Sequence, residues 1–317
     1  MSDSTPQPPD DAATDPVDER PARERARELA TQLREDRRKR DRRRDTIIRG
    51  SVLGGTVALL GVVALVLVTT ASGPARGPAN MISDGIKIGQ DFVAVRTAAL
   101  QPKQEPVASG QNASGVLDIR LYVDYLCPNC ATFESENGDQ LRRWVESGAA
   151  TVEIHPIAVL SAKSAGTQYS LRAANAAACV ADASPDSFFA FHTALFAEQP
   201  DEGTPGLSDD ELLSLAVRSG ADDTADLSEC VHSLRFRSWV QAATSRALTG
   251  PLPGLDDGAS VTSTPTVIVD GRPFLSTENF AAEEFASFVV KAAGDRYAIE
   301  SEATATPTPT PTPTPAS

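Results

Sequence analysis

The stretch "GVLDIRLYVDYLCPNC", residues 115–130, constrains the fold more than any other part of this 317-residue chain. Its apolar residues largely alternate, the period of a β-strand, and the strand delivers the chain straight into Cys127, Pro128, Asn129 and Cys130. From there "CPNC…RRWVESG" reads as a helix, kinked near Asn137-Gly138 and closed by Gly148. Pro128 suits the first helical turn, where its missing N–H removes no bond. At this point the cysteine pair has three readings: a redox pair, half of a zinc site, or an incidental spacing.

A zinc site needs two further ligands in a similarly close pair. The other two cysteines, Cys179 and Cys230, stand 51 positions apart, each alone in a helical segment. His192 and His232 lie in helical segments without a ligand-spaced neighbour, and His155, at a strand end before Pro156, reads as strand-edge packing. No metal is therefore expected. No glycine-rich phosphate loop or dinucleotide fingerprint is present either, which leaves no cofactor beyond a redox-active Cys127–Cys130 disulfide. The redox reading has a physical basis. At a helix start, unpaired backbone N–H groups and the positive end of the macrodipole favour a thiolate at Cys127. Cys130, one turn later and more buried, can attack the linked sulfur, and Asn129 is a neutral polar neighbour.

The compartment bears on the same choice. Residues 50–75 carry no charge and include "SVLGGTVALLGVVALVLVTTA", while about 20 apolar residues cross a bilayer core. The preceding "REDRRKRDRRRDTIIR" holds nine Lys and Arg against four acids, and beyond the run only Arg76 lies close. The positive-inside bias then predicts a single-pass anchor in the cell membrane, N-terminus cytoplasmic and the rest extracytoplasmic. Thiols there meet oxidising conditions. Of the 29 Lys and Arg, 13 fall in residues 1–49 with 12 of the 43 acids, so the remainder is net −15. So acidic a body repels phosphate backbones, and no nucleic-acid partner is expected.

The predicted organisation is a charged or disordered cytoplasmic segment at 1–45, a transmembrane helix at 46–71 and a linker at 72–79. A domain follows at 80–298, then a Thr/Pro-rich tail at 299–317. Within the domain, Asp84-Gly85 marks a turn, and "ATVEIHPIAVL" is a second strand. A helical block fills about 163–250. One of its helices opens at a Ser208/Glu211 capping box and stops at Gly220; another covers "LRFRSWVQAATSRALTG". "TPTVIVDGRPFL" forms two strands joined at Asp270-Gly271, and "NFAAEEFASFVVKAAG" is a last helix. Trp144 and Trp239, with Phe188, Phe189 and Phe191, read as core. The order is that of an α/β fold with a large helical insertion. Thr264-Pro265 precedes a strand and admits either a cis peptide or an ordinary trans proline. Cys179 and Cys230 share the helical block, where a mutual structural disulfide competes with free buried thiols or a second relay. Four cysteines allow three connectivities.

Strand, CPNC, helix and the later "TPTVIVDG" hairpin together resemble the thioredoxin fold. With its helical insertion the chain is similar to the DsbA family of thiol:disulfide oxidoreductases, in particular membrane-anchored actinobacterial and Gram-positive forms, over roughly residues 80–295. The resemblance implies Cys127 as exposed nucleophile and Cys130 as resolving thiol. It also implies that Pro265 is cis beside the pair and that Thr264 offers backbone groups to a bound polypeptide. It further implies exported cysteine-containing polypeptides as partners and a quinone-linked membrane enzyme as re-oxidant. Two positions depart from the family. Asn129 stands where the best-known members carry histidine, and Leu121 stands where thioredoxins keep a buried acid. Asp124 is then the nearest carboxylate, either a proton acceptor or a polar residue ending the strand. A reductase or isomerase would use the same residues, and a non-catalytic anchored module that holds clients is the reading from another class.

Overall fold

The computed structural model describes residues 76–255 and 258–304. The segments expected at 1–45 and 46–71 lie outside those residues, as does most of the expected tail. Among the described residues no helix is long and apolar enough to cross a membrane.

Five strands form one mixed sheet: β1 (Ile86–Ile88), β2 (Leu117–Val123), β3 (Ala150–Pro156), β4 (Thr266–Val269) and β5 (Arg272–Phe274), in the order β1-β3-β2-β4-β5. Only β2 and β3 run parallel, joined by helix α1 (Pro128–Glu146); the other pairings are antiparallel. A parallel pair needs a long crossover, and the helix that begins inside the cysteine motif supplies it. On α1 the buried residues Cys130, Phe133, Asn137, Leu141 and Val145 recur every three or four positions, which turns one stripe to the sheet. The helix runs through Asn137-Gly138 as one element. The Asn137 amide donates inward to the Phe133 carbonyl and across to that of Phe280. Gly148, at φ +74°, turns the chain beyond the helix end.

Between β3 and β4 lie α2 (Tyr169–Ala183), α3 (Phe188–Ala197), α4 (Asp209–Arg218), α5 (Ala225–His232) and α6 (Arg237–Thr249). Helix α2 is buried on nearly every side, and its alanines let its neighbours approach closely. The capping box of α4 forms as expected. The Ser208 hydroxyl accepts from Glu211 N at 3.2 Å, and the Glu211 carboxylate accepts from Ser208 N at 2.7 Å. Helix α6 starts at Arg237 rather than Leu234, because Leu234 takes φ +52°. Cys179 on α2 and Cys230 on α5 form a disulfide. Helix α7 (Ala282–Thr304) packs Phe285 on Phe133 of α1, and it continues to Thr304, past residue 298 where the domain was expected to end. At the other end, ordered packing begins before residue 80: Gly77 N donates to Leu100 O, and Ala79 N donates to Asp182.

The two faces of β2 differ. Ile119, Leu121 and Val123 are at most 1% exposed and join the main core. The alternate positions put Asp118, Arg120 and Tyr122 on the opposite face. There Lys87 from β1 and Arg120 both pair with Asp118, at 3.1 and 2.8 Å. Buried Glu153 from β3 lies 3.6 Å from Arg120 and accepts from Ser109. Trp239, Phe188, Phe189 and Phe191 are buried core residues, and Trp144 packs partly buried against it.

Candidate active site

Strand β2 ends four residues before Cys127, which is the N-cap of α1 in extended conformation, and Pro128 takes the first helical position. The Cys127 carbonyl accepts from the backbone N–H groups of Cys130 and Ala131, at 3.1 and 3.2 Å. Its sulfur therefore sits over the helix start. The Cys127 thiol is lowered to about 6: the Cys130 thiol donating to its sulfur contributes most, burial opposes, and the Thr264 side chain and the N–H groups of Cys130 and Asn129 add to it. Cys130 is fully buried, and burial first, then the Cys127 anion, pushes its thiol well up. The two sulfurs, both free thiols here, thus divide into one that ionises near neutral pH and one that holds its proton. Pro128 and Asn129 lie exposed over the helix start.

Cys127 is not the open nucleophile that the resemblance implied. It is only 6% exposed. The cover comes from the Thr264-Pro265 segment, whose peptide bond is cis and whose Thr264 carbonyl stands 3.3 Å from the Cys127 sulfur. A side chain from the helical insertion, Gln199, adds to it by donating to the carbonyls of Tyr125 and Cys127, at 3.2 and 3.0 Å.

Asp124 does more than end the strand. It is fully buried, and its carboxylate accepts from Leu126 N at 2.9 Å and Leu160 N at 2.8 Å. Burial raises its carboxyl to about 6 against these two bonds, and the Cys127 charge pushes the same way. Its charge acts in turn on Cys130. Leu121, in the position where thioredoxins keep an acid, is a core residue. Asp124 is thus the carboxyl that the two sulfurs feel.

Sequence reasoning missed two features. Gln199 is one. The other is a buried chain in which His192 joins Tyr125 at 3.2 Å and Glu134 at 2.9 Å, linking α3 to the segment before Cys127 and to α1. These partners are 58 and 67 positions apart, and no local pattern announces them. His155 packs on the sheet face opposite the main core, stacked on Tyr122, in keeping with the strand-edge expectation. His232 is a surface group beside Asp210. Among the described residues no group of three or more His, Cys, Asp or Glu is placed to hold a metal ion.

Fold and site together define a class: a thioredoxin-fold thiol–disulfide oxidoreductase whose two cysteines share the first turn of a helix. A family model described as thioredoxin matches residues 103–291, more than half of the chain, and the chain belongs to that family. Among solved structures it is similar to the reduced disulfide bond oxidoreductase DsbG of Mycobacterium tuberculosis, at 28% identity, TM-score 0.48, covering 69% of this chain and 92% of that one. It is similar to reduced DsbA of the same organism, at 26% identity and TM-score 0.48, with 69% and 98% covered. It is also similar to MdbA, a thiol-disulfide oxidoreductase from Corynebacterium diphtheriae, at 19% identity and TM-score 0.45, with 71% and 98% covered. No curated protein matches the chain.

Proposed function

We propose that the chain is a membrane-anchored, extracytoplasmic oxidase of the DsbA type, which donates the Cys127–Cys130 disulfide to exported polypeptides. The observation that carries this reading is the asymmetry of the pair: Cys127 at a helix N-cap, lowered to about 6, backed by the covered and strongly raised Cys130. A client thiolate attacks the Cys127 sulfur. The Cys127–Cys130 bond breaks, and Cys130 leaves with the electron pair and takes up a proton. The client's second thiolate then attacks its own sulfur in the mixed disulfide, and Cys127 leaves as the thiolate that its surroundings stabilise. The client gains a disulfide, and the protein holds the two electrons. A carboxyl near 6 exchanges protons at neutral pH, which fits Asp124 to serve Cys130. Low Cys127 basicity favours the dithiol form and so transfer toward the client.

Two features support the anchor and the compartment: the uncharged run at 50–75 behind its basic flank, and the Cys179–Cys230 disulfide, a bond that persists in oxidising surroundings. Each turnover leaves the pair reduced, so a re-oxidant is required; a quinone-linked membrane enzyme is the partner that the motif resemblance implies. Two measurements test the reading. Cys130→Ala in cells is expected to trap exported proteins on Cys127 as mixed disulfides. The potential of the pair is expected above that of thioredoxin, about −270 mV. A value at or below that mark, or the absence of any trapped client, overturns the oxidase.

A further inference from the structure

The loop that follows α3 carries a side chain to the nucleophile with more chemistry than cover requires. Gln199 lies in that loop, half-buried. Its backbone N–H donates to the Phe196 carbonyl at 3.2 Å, and the Phe196 ring packs on Tyr125 with centroids 5.2 Å apart. The side-chain NH2 donates to the carbonyls of Tyr125 and Cys127, at 3.2 and 3.0 Å. Both partners are oxygens that can only accept, so the NH2 must face them and the carboxamide oxygen Oε1 must face away. Among the described residues nothing donates to Oε1, and that oxygen is not sealed from solvent.

An apolar side chain of the same length would shield Cys127 as well. The amide adds an acceptor with two open lone pairs, held in a fixed direction beside the reacting sulfur. A polypeptide whose own sulfur reaches Cys127 comes between this loop and the Thr264 carbonyl, which stands 3.3 Å from the Cys127 sulfur. There the client backbone gives up water from N–H groups near its cysteine, and an N–H left unpaired is penalised. Oε1 can accept from one of them without moving the two bonds that hold the amide.

We propose that Gln199 Oε1 accepts a hydrogen bond from a client backbone N–H close to the reacting cysteine, so that Gln199 favours polypeptides over small thiols. This rests on the exchange reading above and adds to it a contact from the helical insertion.

The test uses the reduced full-length chain in detergent, in a Cys130→Ala background, with two mixed disulfides of thionitrobenzoate. One joins it to mercaptoethanol, the other to a blocked peptide with a single cysteine. In each, the Cys127 thiolate attacks the mercaptoethanol or peptide sulfur, a new disulfide forms there, and coloured thionitrobenzoate leaves with the electron pair. The reagents share a leaving group and differ in the peptide backbone. Gln199→Ala is expected to react faster with the mercaptoethanol reagent, since cover is lost. Its ratio of peptide to mercaptoethanol rates is expected to fall about fivefold, the worth of one hydrogen bond. Both rates come from one protein, so any loss of folded material cancels. Peptides methylated at one backbone nitrogen each, on either side of the cysteine, locate the donor. At one position methylation is expected to slow the parent about fivefold and to slow Gln199→Ala no further. An unchanged ratio, or methyl effects that add fully to the substitution at every position, overturns the proposal and leaves the exchange reading standing. A parent whose Cys127 reacts with neither reagent overturns both.

Discussion

Replacing Asp124 with asparagine separates the two things this carboxyl does. The folded protein holds its proton up to about 6, against 3.8 for an ordinary aspartate. Between those values the folded state binds more proton than the unfolded state, so stability falls as pH rises through the window and stays lower above it. The gap of about 2.2 units at 1.36 kcal/mol each corresponds to about 3 kcal/mol in full. Between pH 4 and pH 7 about 2 kcal/mol of it is expressed, since ionisation of the unfolded chain is already under way at pH 4. Asparagine removes this titration. It also turns an amide group toward one of the two N–H donors, Leu126 or Leu160, that the carboxylate accepts from. That mismatch costs about 1–3 kcal/mol at every pH. Urea unfolding of both proteins at pH 4 and pH 7 checks this, in the disulfide form, where neither cysteine titrates and burial, the largest cause of the rise, still acts while the smaller push of the Cys127 charge is gone. The stability difference between parent and D124N is expected to shrink by about 2 kcal/mol from pH 4 to pH 7. A difference that does not change with pH would refute the raised carboxyl. A parent that gains on the variant as pH rises would show that the two backbone bonds outweigh burial.

Three further outcomes follow from the structure. Replacing Cys179 and Cys230 together by alanine is expected to lower unfolding free energy by about 4 kcal/mol, because the bond closes a loop with 51 positions between its ends; denaturant midpoints of the two proteins measure it, and a loss under about 1 kcal/mol would count against the loop argument. Gln199→Ala removes both donations onto the Tyr125 and Cys127 carbonyls and is expected to cost about 1–2 kcal/mol while raising the alkylation rate of Cys127, since part of its cover is gone. Ser208→Ala breaks the capping box of α4 and is expected to cost about 1 kcal/mol in the same unfolding assay.

What could be read from the sequence was local. The Ser208/Glu211 box, the Asp270-Gly271 turn with φ of +47° and +78°, and the strand running into a Pro-primed helix each depend on residues a few positions apart. Short-range steric and hydrogen-bonding rules therefore suffice to find them. The cysteine pair was legible for the same reason; the pairing of Cys179 with Cys230 was one of three connectivities that the sequence left open, and packing of α2 against α5 decides it. The cover over Cys127 was not, because Thr264 and Gln199 reach it from 137 and 72 positions away. Nor was the depth of Asp124: a carboxyl three residues before a cysteine carries no mark of whether α1 and the segment at Leu160 will close over it. The charged ladder of Lys87, Asp118, Arg120 and Glu153 left a trace that was available, polar residues at alternate positions of β2 and β3. Alternation normally signals a solvated face, and here residues before β2 and after β3 cover that face instead.

The account rests on an anion at Cys127 under neutral conditions. Its alkylation rate by iodoacetamide, followed site by site with mass spectrometry from pH 4 to pH 10 on the reduced protein, measures that anion directly. A rate rising with a midpoint near 6 is predicted; a midpoint near 8.5, that of a free cysteine, would contradict it.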